Sequence, residues 1–208
     1  LDTGAMYRAA TLAVLRAGLE PSAAVAVPVA VDAVIEVGTD PGDPSVRLGG
    51  EDVAGEIRGE RVTSAVSAVS AHPQVRQRLV DEQRRIIDSV LAGERDGIVV
   101  EGRDIGTVVA PDAKLKVYLT ASAEVRANRR GGQDRRAGRG GDTASALVAV
   151  QRRDALDSGR ATSPLRPAVD AVLLDTTEMD VPGVLSALRT LAAERGLVEQ
   201  LDREGPLR

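Results

Sequence analysis

The first apolar pattern along the chain is helical. Met6, Ala9, Ala10, Ala13, Val14 and Ala17 recur at the spacing of one helix face, Asp2 or Thr3 can cap its start, and Gly18 stops it. The same reading predicts helices over 5–17, 60–71, 74–92, 122–130, 142–158 and 182–195. Runs rich in Val, Ile and Leu predict strands at Val31–Val37, Val46–Leu48, Gly97–Glu101, Leu115–Leu119 and Ala171–Asp175. The first two flank the turn-rich stretch Gly38 to Asp43 and read as a hairpin. The last three are short and alternate with helical stretches, the order of buried parallel strands in an α/β layer fold.

This pattern predicts one domain with an insertion. Residues 1–25 and 93–208 form the core, and 26–92 form a small insert with its helices. Within the core, Gly131 to Asp142 is rich in glycine and arginine, with Ala137 its one apolar residue. It reads as a mobile surface loop; between two arginine-bearing helices, it also has the make-up of a lid that covers phosphates. The chain shows no internal repeat and no heptads, and the segment after Gly196 is polar.

Composition narrows the chemistry. With 208 residues the chain can bury a core, and with no cysteine it has neither disulfides nor thiolate metal sites, which suits the cytoplasm. His72 is the one histidine, so histidine-rich metal sites are nearly excluded and Ser-His-Asp catalysis would have to rest on it; before Pro73 it reads as a capping or surface residue. The only lysines are Lys114 and Lys116, so basic charge is almost wholly arginine, whose planar fork suits phosphate and carboxylate. A GC-rich genome explains that abundance, but not where particular arginines sit. Tyr7 and Tyr118 are the only aromatics, too few to stack along a nucleic-acid strand. No run approaches the ~20 apolar residues of a membrane span, and the N-terminus does not read as a signal peptide.

Several arginines stand where chemistry is expected. Arg8 lies one turn into the first helix, which is either an ordinary capped surface helix or, with its backbone N–H groups beside a guanidinium, an anion site. Glu101 to Val109 follows a predicted buried strand at its carboxyl end, where open α/β sheets place ligands. There Gly102 and Gly106 allow close backbone approach, and Arg103 and Asp104 form either a ligand-facing pair or a loop salt bridge. Arg153, Asp157 and Arg160 share one helix face within an arc of roughly 60°. They make either a surface charge ladder or a face presenting two guanidiniums and a carboxylate to a nucleotide, while Arg152 and Asp154 point elsewhere, to solvent. Arg76 opens a helix behind Pro73, and Ser67 stands near the end of the preceding small-residue helix.

Taken together, these segments resemble the bacterial cytidylate kinase family (CMP/dCMP kinases) of the nucleoside monophosphate kinase group. Leu1 to Arg8 is similar to its LD[ST]GAxYR segment, Gly50 to Arg58 to GEDVxxEIR, and His72 to Arg76 to xPxVR. Glu101 to Val109 fits [DE]GRDxGTVV, and Gln151 to Asp154 with Asp157 and Arg160 fits xxRDxxDxxR. The order and spacing hold over nearly all of residues 1–190.

The resemblance implies a three-layer, P-loop-kinase-like parallel sheet with a small nucleotide-binding insert and a mobile lid. It implies transfer of a phosphoryl group from ATP, with Mg²⁺, to CMP or dCMP, by a cytoplasmic monomer that engages nucleotides and neither nucleic acid nor membrane. Arg8, Arg103 and Arg160 would hold the CMP phosphate near the transferred group. Ser67, Arg76 and Asp104 would read the cytosine, and Arg153 and Asp157 would meet the sugar or the phosphates. Thr3 and Tyr7 would line the same pocket, and Arg126, Arg129 and Arg130 would face ATP. A kinase for another monophosphate is the alternative within this class.

One family feature is missing. The phosphate loop GxxxxGK[ST] stands upstream of the first segment in the family, and no stretch of this sequence has that form. The resemblance therefore implies that the natural chain extends upstream of Leu1, with two further parallel strands, and that residues 1–208 bind CMP weakly and do not turn over. The rival expectation is a nucleotide-binding module that has lost its phosphate loop.

Overall fold

The computed structural model describes residues 1–93, 97–136, 138, 143–159 and 165–198, and these fall into two compact units. The first comprises Leu1–Ala110 with Arg153–Arg166, the second Pro111–Arg152 with Pro167–Arg208.

The first unit is built around α1 (Thr3–Arg16). Asp2 caps it, its carboxylate accepting the N–H of Ala5 at 2.9 Å, an interaction of about 1 kcal/mol. Then come α2 (Ala26–Asp32) and an antiparallel sheet of β1 (Ile35–Val37), β2 (Val46–Leu48) and β3 (Glu51–Asp52). A 3₁₀ turn (Glu56–Arg58) leads to α3 (Glu60–Val69) and α4 (Pro73–Leu91), which Pro73 starts with a φ already helical.

Most of α1 is buried because it is covered on two sides. Met6, Tyr7, Ala10 and Val14 pack with Ala26 and Ala30 of α2, Val66 and Val69 of α3, and Val75 and Leu79 of α4. Ala5, Ala9 and Leu12 pack with Val46, Val53, Ile57 and Val62. The alanines that make the sequence look bland let both layers come close. Polar ties run the length of the second contact. Arg58 reaches Asp2 at 3.4 Å, Arg8 reaches Ile57 and Thr63, and Arg16 forks onto Glu51 and Glu56.

The end of α4 and the segment that follows complete this unit. Residues 97–100 form no ladder among the described residues, a correction to the predicted strand Gly97–Glu101, which is reduced to a parallel bridge of Glu101 to Asp2 and a bond of 2.6 Å from the Leu1 amino group to the Val99 carbonyl. Thr3 donates its backbone N–H to the Glu101 carbonyl at 3.2 Å, and Glu101 donates to the Leu1 carbonyl at 3.0 Å. A π-helical turn, Ile105–Val109, follows. Arg84 of α4 donates to the last two carbonyls of that turn, Val108 at 2.6 Å and Val109 at 3.1 Å.

The second unit holds β4 (Val117–Thr120) and β5 (Val172–Asp175), paired in parallel with Val117 opposite Val172 and Thr120 opposite Asp175. Helix α5 (Ala123–Arg136) follows β4, and α7 (Val181–Glu194) follows β5 with Asp180 as its cap. Helix α6 (Thr143–Ser158) begins in this unit and ends in the first.

Two other expectations change. Val31–Val37 is not one strand: α2 occupies residues to Asp32, and the strand starts at Ile35. The run AVPVAVD buries Ala26 and Ala30, four apart, so its apolar period is helical although its β-branched content suggests a strand. Helix α5 also runs through Gly131 and Gly132 to Arg136, so the predicted loop does not begin at Gly131. Arg130 pairs with Asp134 at 3.0 Å across the glycines, an i,i+4 contact that supports the extra turn. The expected lid's remaining residues, Gly138 aside, lie outside the described residues. Among the described residues, no helix is long and apolar enough to cross a membrane.

Candidate functional site

A cleft in the first unit gathers residues from four stretches of sequence. Thr3, Gly4 and Tyr7 come from α1, Val66, Ser67 and Ser70 from α3 and its end, Arg76 from α4, and Gly102, Arg103 and Asp104 from the turn after Glu101. The space they enclose, including its open mouth, is about 440 Å³. Six of the predicted site residues therefore line one cavity: Thr3, Tyr7, Ser67, Arg76, Arg103 and Asp104.

Arg76 and Asp104 form the cleft's buried ion pair, each side chain 5% exposed. The Arg76 guanidinium also donates to the Ser70 carbonyl at 3.3 Å and lies over the Tyr7 ring, 5.3 Å from its centroid. The aromatic face supplies attraction to the cation where water is excluded. The Nε of Arg76 is buried and has no partner among the described residues. A buried pair is a poor means of gaining stability, because desolvation offsets most of its attraction. What it supplies is two charged, oriented groups in a dry cleft.

The turn carrying Asp104 is fixed by its neighbours. The Asp104 carbonyl accepts the N–H groups of Thr107, Val108 and Val109, which begins the π-helical turn. Thr3 donates its hydroxyl to the Glu101 carbonyl at 2.7 Å. Gly102 sits so close that a Cβ there would collide with that hydroxyl and approach Ile105 Cδ1 to 2.8 Å. The glycine is thus a spatial requirement of the cleft wall. Loss of hydration around the Glu101 carboxylate, together with the nearby charge of Asp2, raises its pKa above the usual glutamate range.

Arg8 does not line the cavity. It stands one turn beyond Gly4, and its Nη1 donates to the Ile57 carbonyl and to the Thr63 hydroxyl, each at 3.0 Å. Arg103 pairs with Asp154 of α6 at 3.8 Å. This corrects the reading of Asp154 as a solvated bystander: at 28% side-chain exposure, it lies against the cleft's second arginine. Arg153 and Asp157 stand four apart on α6, as expected from spacing, but their side chains, and Arg160 altogether, lie outside the described residues.

The remaining candidates belong to the second unit. Arg126 donates to the Ala121 carbonyl at 3.0 Å, and Arg130 pairs with Asp134. Arg129 is held by three acceptors after β5: the Thr176 hydroxyl at 2.9 Å, the Thr176 carbonyl at 2.5 Å and the Met179 carbonyl at 2.9 Å. In this arrangement Arg129 closes the turn between β5 and α7.

Sequence reasoning missed Ser70, Thr63 and Asp154. Ser70 contributes a carbonyl, which no side-chain pattern reveals, and Thr63 is one hydroxyl among several in a small-residue helix. Asp154 could have been found: it adjoins Arg153 in the Arg-Arg-Asp run of α6.

The chain is similar to known proteins over most of its length. The family profile described as "Cytidylate kinase" matches residues 1–194. The chain is 57% identical over 196 residues to the "Cytidylate kinase" of Nocardia farcinica, covering 94% of this chain and 82% of the relative. It is 57% identical over 205 residues to that of Rhodococcus opacus, covering 96% and 86%. With that of Mycobacterium avium it is 54% identical over 199 residues, covering 95% and 85%.

Proposed function

The chain belongs to the cytidylate kinase family, and from that premise we infer how its own residues serve the reaction. The activity is transfer of the γ-phosphoryl group of ATP to CMP or dCMP, giving ADP and CDP or dCDP. The family implies an α/β fold of the P-loop kinase kind, consistent with the parallel β4–β5 pair. The finer picture is our proposal: a three-layer parallel sheet, with residues 26–92 as the monophosphate-binding insert and a lid around residues 131–142.

In this reading the cleft of the first unit receives CMP. Asp104 accepts the exocyclic amino group of cytosine, Arg76 donates to the ring carbonyl and nitrogen, and Ser67 completes the base site. Cytosine carries a donor beside acceptors, and the cleft offers a carboxylate beside a guanidinium in complementary order. That juxtaposition, buried and oriented by Ser70 and Tyr7, is the observation that carries the assignment. Thr3 and Tyr7 wall the pocket, and Asp157 meets the sugar.

Arg8, Arg103, Arg153 and Arg160 surround the phosphates. A CMP phosphate oxygen forms the new bond to the γ-phosphorus as the bond to the ADP oxygen breaks. No covalent enzyme intermediate is needed, so the protein's task is to align oxygens and neutralise charge, for which arginines from separate elements suit. Arg126 and Arg130, with Arg129 bracing the turn beside them, face ATP.

Mg²⁺ accompanies the donor. Among the described residues, no group of three or more acidic or histidine side chains could hold the ion. We propose that the ion is held largely by phosphate oxygens and water, where it neutralises charge on the triphosphate. We further propose that the enzyme is a cytoplasmic monomer acting on free nucleotides rather than on nucleic acid.

The test is coupled ADP release by the protein with CMP, dCMP, UMP, AMP and GMP. The reading expects the cytosine nucleotides to be preferred by at least about tenfold in kcat/KM. Preference for another base overturns the cytosine assignment.

A further inference from the structure

We infer that Thr63 is a positioning residue for the phosphate-binding Arg8, an inference that rests on the phosphate role proposed for Arg8. The two side chains join α1 and α3, two of the helices that line the cleft. Arg8 stands four residues beyond Gly4 on α1, and Thr63 stands four residues before Ser67 on α3; Gly4 and Ser67 both line the cleft. The residues therefore meet one helical turn from the cavity, where the Thr63 hydroxyl accepts from Arg8 Nη1 at 3.0 Å.

The bond has a geometric consequence. Nη1 carries two N–H groups, and both have acceptors here, the Thr63 hydroxyl and the Ile57 carbonyl, each at 3.0 Å. Two acceptors on one nitrogen fix the plane of the guanidinium as well as its place. They fix the plane in which the other guanidinium donors lie, and coplanar guanidinium donors match two oxygens of a phosphate. Ile57 is fully buried, so its carbonyl is a stable anchor. Thr63 is the adjustable one, because a side-chain hydroxyl can be removed without altering the backbone.

Arginine has several rotatable bonds, and a phosphate binding an unanchored guanidinium must immobilise them. With Thr63 in place, part of that ordering precedes binding. The consequence is confined to ligands carrying a phosphate; a nucleoside occupying the base site alone does not sense it. Loss of one hydrogen bond to a charged group then lowers CMP affinity by about fivefold.

The test is calorimetric titration of the protein with CMP and with cytidine, read as the ratio of the two affinities. Thr63→Val, which keeps the shape and removes the hydroxyl, is expected to lower the ratio about fivefold with cytidine affinity unchanged. Thr63→Ser is expected to restore the ratio, which also separates the effect from a folding defect. Arg8→Gln is expected to lower it further, by about fiftyfold. If Arg8→Gln collapses the ratio while Thr63→Val leaves it intact, the positioning role fails and the phosphate role stands. Should Arg8→Gln leave the ratio unchanged, the phosphate role fails and the inference goes with it. Equal losses of CMP and cytidine affinity in Thr63→Val assign the residue to packing and overturn the inference.

Discussion

Arg76 and Asp104, 28 residues apart, meet as an ion pair with each side chain 5% exposed. Arg76 is anchored to the Ser70 carbonyl and the Tyr7 ring, and Asp104 by its own carbonyl, which accepts the N–H groups of Thr107, Val108 and Val109. The pair joins stability to recognition, so its removal affects both.

Breaking the pair from one side leaves a charge in a site withdrawn from water. Arg76→Met is expected to lower unfolding free energy by about 3–5 kcal/mol. The double variant Arg76→Met/Asp104→Leu is expected to lose less than the sum of the two single variants. Urea denaturation of the four proteins measures the difference, and strict additivity would count against a coupled pair.

Gly102→Ala places a Cβ against the Thr3 hydroxyl and Ile105. The bond from Thr3 to the Glu101 carbonyl must then stretch or rotate. The expected cost is about 1–3 kcal/mol, with a loss of CMP affinity larger than stability alone explains. Thermal denaturation with CMP titration checks both, and unchanged affinity contradicts the assigned role of this wall.

The raised pKa of Glu101 gives a pH prediction. Folding favours the protonated carboxyl, so the ionised form costs stability above the folded pKa and the cost disappears as pH falls through it. Glu101→Gln is therefore expected to raise Tm at neutral pH, and its advantage should shrink as the pH falls toward the ordinary glutamate pKa of about 4.3. A Tm difference that is flat across pH 4 to 7, roughly the titration range, contradicts this.

Arg129 ties α5 to the turn after β5 through three acceptors. Arg129→Met is expected to lower Tm by several degrees, corresponding to about 2 kcal/mol, with little change in CMP affinity. Arg130→Met, which breaks only an exchangeable pair with Asp134, is expected mainly to raise the KM for ATP. Equal effects of the two variants on Tm would contradict this division.

Much of this was legible in the sequence. The helical periods placed α1, α3, α4, α6 and α7 to within a few residues, because each carries a clear apolar face or a Pro or Gly boundary, whereas α5 runs past the glycines to Arg136. Helix α2 was misread because Val-rich composition outweighed a short helical period. Six cleft residues were found because each sits in a distinctive local run. Ser70 and Thr63 were not, since their roles arise only when α1, α3 and α4 pack together. Residues 97–100 show the limit from the other side: an apolar run reads as a strand, but a strand needs a paired neighbour, and here Val99 and Glu101 bond only to Leu1 and Thr3, with one bridge of Glu101 to Asp2.

The most direct test of the account is the ratio of kcat/KM for CMP to that for UMP in the protein and in its Asp104→Asn variant. A carboxylate accepts from the amino group of cytosine, whereas an amide can also donate to the oxygen that uracil carries there. The account predicts that the substitution lowers the CMP to UMP ratio by at least about tenfold. A ratio that stays constant while both activities fall would contradict it.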